Sequence, residues 1–200
     1  MDIMVEGFFM EMDGGSGFPA WTEEIALTPV GLMAYMNRNI ESGYFDASVN
    51  AIVTKVVPSV FWKTYRLMSP EETMRRKHGV CWDQSELERV WFEANGYETH
   101  VIFVDTDPGV TDNGHTFVVY RDPTSGKLFH FEHSFKAIRG IHPVSDVGEA
   151  VRCVIEACVK DDPSRPAVKP VAVEMSAVPR PGCTVMEYFA LAKKMQKVKF

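Results

Sequence analysis

Apolar positions at helical spacing mark out the first segments of this 200-residue chain. In "TPVGLMAYMNRNI", Leu32, Tyr35, Met36 and Ile40 form a stripe behind Thr28 as cap and Pro29 at the first helical position. "SGYFD" at 42–46 reads as a loop, and the apolar stretch 49–67 is interrupted at Pro58. In "SPEETMRRKHG", Ser69 and Glu72 make a capping box, with Pro70 in the first turn and Gly79 as the stop. "CWDQSELERVWFEANG" then repeats Leu87, Val90, Trp91 and Ala94 at helical spacing until Asn95-Gly96. After it the period changes to that of strands. "YETHVIFVD", "HTFVVY" and "KLFHFEHSF" are rich in β-branched and aromatic residues, and "RDPTSG" between the last two signals a hairpin. "SDVGEAVRCVIEACVK" returns to an amphipathic helix capped by Ser145. "AVKPVAVEM" suits an edge strand because of Pro170, and "TVMEYFALAKKM" is a last helix with a Thr184–Glu187 capping box.

Helix, antiparallel strands and helix in that order predict an α+β fold, in which a helix packs on an antiparallel sheet. The length suits a single domain over 1–200. Residues 1–20, an apolar segment followed by a glycine-rich loop, receive no role. The net charge of −6 argues against a nucleic-acid partner. The apolar stretches are too short to span a bilayer. With no basic region followed by an apolar run at the start, and no CxxC among Cys81, Cys153, Cys158 and Cys183, a cytoplasmic protein with reduced thiols is expected. No cofactor or metal site is expected.

Candidate chemistry centres on "HGVCWDQ" at 78–84. A Cys at the start of a helix faces unpaired backbone N–H groups and the positive end of the helix dipole. Both favour the thiolate, and the same N–H groups can hold an oxyanion. Gly79 lets the backbone approach closely. Among six His residues, His115 opens a strand directly after a glycine-containing loop. A four-residue loop from Asp122 to Ser125 would pair Arg121 with Gly126 and bring His115 opposite Glu132, within reach of a hydrogen bond. A carboxylate there fixes the tautomer of the ring and stabilises its charged form. A one-residue slip would bring His133 opposite instead. Trp82, Gln84 and Trp62 are candidates for the pocket or oxyanion site. Cys183, in "PGCTVMEYF", is a second thiol ahead of a helix, but no strand-borne His and acid follow it.

Cys in "GVCWDQ", His in "GHTFVVY" and an acid in "FHFEHSF", continuing to "GIH", resemble the transglutaminase-like superfamily of papain-like folds over residues 69–142. The likeness is closest to small bacterial and phage transglutaminase-like proteins, whose opening helix "LTPVGLMAYMNRNI" also resembles. It implies a papain-like core and a triad of Cys81, His115 and Glu132. Glu stands where the superfamily usually has Asp, and nothing resembles the calcium loops of the animal enzymes.

The reading that follows is a cysteine-dependent acyl transfer on peptide or protein amides, ending in hydrolysis or transamidation. A binding module that has lost turnover is the alternative. A metal site drawing on Cys81, His115 and His133 lacks ligand pairs at characteristic spacing.

Overall fold

The computed structural model describes residues 21, 25, 27–106, 108, 114–162 and 169–200, so the segment 1–20 and most of the loop before Gly114 lie outside the described residues. In chain order the elements are α1 (Pro29–Asn39), β1 (Glu41–Ser42), β2 (Tyr44–Asp46), β3 (Ala51–Val53), α2 (Pro58–Thr64), α3 (Pro70–Arg76), β4 (His78–Gly79) and α4 (Cys81–Ala94). They continue with β5 (Glu98–Asp105), β6 (Gly114–Arg121), β7 (Leu128–Glu132), β8 (Gly140–Val144), α5 (Val147–Asp161), β9 (Val171–Glu174), α6 (Val185–Ala192) and β10 (Gln196–Lys197). Six of these strands form one sheet in the order β10-β9-β5-β6-β7-β8, with every pairing antiparallel. The fold is α+β.

The sheet is covered on both faces, which is why β5 and β6 read as nearly continuous apolar runs. On one face Val101, Phe103, Val118, Tyr120 and Phe131 pack with Leu87, Trp91 and Phe92 of α4. On the other, Ile102, Val104, Phe117 and Val119 pack with Ala150, Val151 and Val154 of α5. The sulfur of Cys158 belongs to that second core, whereas Cys153 is exposed, one position off the apolar stripe.

Local chemistry accounts for the elements and for the departures from the sequence reading. Thr28 caps α1 by accepting from Gly31 N at 3.1 Å, and Leu32, Met36 and Ile40 are buried. "SGYFD" forms β1 and β2 rather than a loop, β2 pairing with β3 as a small hairpin. Pro58 starts α2 instead of breaking a longer element, as suits its fixed φ at the first helical turn. Ser69 accepts from Glu72 N, but the Glu72 carboxylate turns to Arg75 and Arg76, so only half of that box forms. Lys77, at φ 57°, takes the left-handed position that ends α3, leaving Gly79 to β4. α5 is capped by Asp146, not Ser145. β9 has β10 outside it, so it is not an edge strand, and Pro170 simply precedes its first residue.

Candidate active site

Cys81 is the first residue of α4, and Val80 before it has no side-chain acceptor with which to cap the helix. Val80 N instead donates to Asp83 Oδ2 at 2.9 Å. Among the described residues no acceptor meets the N–H groups of Cys81 and Trp82, so these donors stay available beside the sulfur. Gly79 makes the tight entry feasible: a Cβ there would meet Asp83 Cβ at 3.0 Å and Gln84 Cγ at 3.2 Å.

The entry is fixed by polar side chains buried beneath it. Asp83 accepts from Tyr65 OH and Met68 N, each at 2.9 Å, as well as from Val80 N. Burial outweighs these bonds and raises its pKa to about 7. Gln84 donates from Nε2 to Gly79 O at 2.6 Å, and its Oε1 lies 2.6 Å from His133 Nδ1. Ser85 donates to Thr116 O at 3.0 Å, tying the first turn of α4 to β6.

His115 is the second residue of β6. Its Nε2 lies 2.7 Å from Glu132 Oε2 at the end of β7. Glu132 is 1 % exposed, and its other oxygen accepts from Phe135 N at 2.7 Å and Ser134 Oγ at 3.1 Å. Burial opposes its ionisation, but the His115 charge and hydrogen bond prevail and hold the carboxyl well below the usual range. His115 responds in the opposite sense. Burial alone would lower its pKa, yet the Glu132 charge and hydrogen-bonding contact with Cys81 and Glu132 push it well above the ordinary imidazole value. With Nε2 on Glu132, Nδ1 is the ring nitrogen left for the Cys81 thiol. Cys81, His115 and Glu132 are thus brought together.

The register differs from the one the sequence suggests. Asp122 N donates to Lys127 O at 2.9 Å, and the ladder pairs Arg121 with Leu128 and Val118 with Phe131. The turn is therefore Pro123–Gly126, one residue later than expected. Asp122 Oδ1 caps it by accepting from Ser125 N and Oγ, and Gly126 supplies the left-handed residue at φ 69°. Each partner of β6 moves by two places, so the faces are kept. Glu132 comes level with Phe117 and reaches His115 diagonally.

A cavity of about 180 Å³ opens at Cys81, lined also by Val56, Phe61, Trp62, Trp82 and Gly114. Trp62 and Trp82 are therefore pocket walls. The Trp82 Nε1 is buried with no hydrogen-bond partner among the described residues, so it retains a donor. Gln84 is not among the described residues that line this cavity; its amide bonds Gly79 O through Nε2 and His133 Nδ1 through Oε1. The C-terminal helix α6 backs the site: Tyr188 stacks on Trp82 with centroids 4.3 Å apart, and Phe189 meets Trp62 at 5.4 Å.

The remaining His and Cys residues have other places. His78 binds Arg76 O, His100 binds Glu174 and His142 binds Ile138 O. His133, bound to Gln84, has its pKa lowered to about 4 by burial and then by the Arg139 charge. It does not join Cys81 and His115 in a ligand set. Among the described residues no group of three or more His, Cys, Asp or Glu side chains is arranged to hold a metal ion. Burial pushes the Cys183 thiol up to about 11. Among the same residues no helix is long and apolar enough to cross a membrane.

Two residues near the site escape the sequence reading. Glu88, two turns into α4, is 2 % exposed, and its pKa is raised well above the usual value by burial and then by the Glu132 charge. His130 Nε2 sits 3.6 Å from Glu132 Oε2, too far for a hydrogen bond. For Glu88 the available signal is the polar run "DQSELE" inside the strongest helix, which is buried throughout.

No family model, no curated protein and no solved structure matches this chain.

Proposed function

We propose that this protein is a cysteine-dependent acyl-transfer enzyme acting on peptide or protein amides, built on a papain-like core of transglutaminase-like type. One observation carries the reading. A buried Glu132 holds His115 at 2.7 Å through Nε2, and the same ring lies close enough to the thiol at an uncapped helix start for that thiol to help raise its pKa.

The chemistry follows from these positions. Cys81 passes its proton to His115 Nδ1, and its sulfur adds to the amide carbonyl carbon. The carbonyl electron pair moves to oxygen, where the N–H groups of the first turn of α4 receive it. Collapse breaks the C–N bond, and the departing amine takes the proton from His115. Water, deprotonated by His115, then attacks the thioester; the S–C bond breaks and the sulfur recovers the proton. An amine in place of water gives transamidation, and water is the acceptor we assign. Glu132 keeps the ring oriented and stabilises its charged form throughout.

Intact-mass spectrometry after incubation with p-nitrophenyl acetate tests the reading. We expect one acetyl group on Cys81 that is lost again on standing, no such adduct in Cys81→Ala, and strongly slowed acylation in His115→Ala. Equal acylation of Cys81→Ala would refute it.

A further inference from the structure

The cavity beside Cys81 has a composition that selects what enters it. Phe61, Trp62, Trp82, Val56 and Pro58 contribute apolar surface, and among the described residues no charged side chain lines it. An apolar cavity near 150 Å³ admits a benzene-sized guest, so about 180 Å³ suits one aromatic or branched aliphatic side chain. The apolar wall continues outwards, since Val56 (45 % exposed) lines the cavity while Val57 and Val60 are exposed on the neighbouring turn and helix. Trp62 is braced by Phe189, and Trp82 by the stacked Tyr188, so the two large walls are held in place before any ligand arrives.

A charged group seated here would lose its hydration with no counter-charge among the described lining residues to replace it. An apolar group would gain by leaving water. Trp62 and Cys81 line one cavity, so a side chain seated against the indole brings the adjoining amide to the nucleophile. We propose that this cavity is the specificity pocket, and that the substrates are amides carrying an aromatic or branched aliphatic group adjoining the amide that Cys81 attacks. This inference rests on the acyl-transfer reading and adds the substrate class to it.

Chloroacetamides provide the test, because thiol displacement of chloride forms one S–C bond, breaks one C–Cl bond and requires no turnover. Four reagents are compared: N-(2-phenylethyl), N-(3-methylbutyl), N-(2-carboxyethyl) and N-(2-aminoethyl) chloroacetamide. Rates at each Cys are read by peptide mapping and normalised to the reaction of each reagent with glutathione. The two apolar reagents should modify Cys81 about tenfold faster or more than the two charged ones. Val56→Asp, a change at a partly exposed position outside the triad, should erase much of that preference and favour the aminoethyl reagent. Equal normalised rates at Cys81, still dependent on His115, would overturn the pocket and leave acyl transfer standing. Cys81 reacting no faster than the exposed Cys153, with no effect of His115→Ala, would overturn both.

Discussion

His115 Nε2 and Glu132 Oε2 are joined at 2.7 Å across β6 and β7, although Glu132 lies level with Phe117 in the ladder rather than with His115. The longer side chain of Glu, compared with Asp, spans such a diagonal. Glu132→Gln keeps the shape and the acceptor for Phe135 N but removes the charge. We expect the His115 pKa, followed by NMR of the ring protons, to fall. Loss of a partner from a buried pair should cost about 3 kcal/mol in urea unfolding, and turnover should drop roughly 10²- to 10⁴-fold. An unchanged His115 titration would contradict the pairing.

The same pair sets a pH window for stability. The folded pKa of Glu132 is depressed, so its contribution is present above an unfolded value of about 4.3 and is lost as pH falls through the folded value. The folded pKa of His115 is raised, so its contribution is complete below about 6.5 and is lost as pH rises through the folded value. The stability difference between the wild type and Glu132→Gln should therefore be largest from about pH 4.3 to 6.5. Unfolding curves across pH 3–10 measure it, and a difference that keeps growing towards high pH would count against the ion pair.

Glu88 has the opposite sense for a carboxyl. Its raised folded pKa means that stability is full below about 4.3 and declines as pH climbs towards the folded value. Glu88→Gln escapes that decline. It should be near neutral at pH 5 and more stable than the wild type at pH 8.5. Equal effects at the two pH values would place the Glu88 carboxyl in water.

Asp83 anchors the helix start. In Asp83→Asn one oxygen can still accept from Tyr65 OH and Met68 N, but the amide nitrogen then faces Val80 N–H. We expect a loss of about 1–3 kcal/mol and slower acylation of Cys81. Asp83→Asn that matches the wild type in both would show that the helix start is fixed by other contacts.

Much of this arrangement was legible because local signals agree with the fold. Thr28–Pro29, Thr184 with Glu187 and the strand-rich run after Tyr97 each carry their own chemistry. Cys81 and His115 stood out because each begins an element beside a glycine. The hairpin register departs from the sequence expectation because the Asp122 carboxylate, just past the end of β6, caps the turn and Gly126 takes its left-handed position. The parity survived the error, so His115 and Glu132 still share a face. Contacts distant in sequence were not legible: the Gln84–His133 pair, the burial of Glu88 and the bracing of Trp82 by Tyr188 arise only when α4, β7 and α6 pack together. The short β2–β3 hairpin was hidden because the stretch around it is apolar without a clear period.

The most direct test of the triad is the rate of Cys81 alkylation by iodoacetamide at neutral pH, measured by peptide mapping in the wild type and in His115→Ala. We expect Cys81 to be modified ahead of Cys153, Cys158 and Cys183. In His115→Ala that advantage should be lost. Slow, uniform labelling of all four cysteines, or a Cys81 rate unmoved by His115→Ala, would contradict a Cys81–His115–Glu132 site.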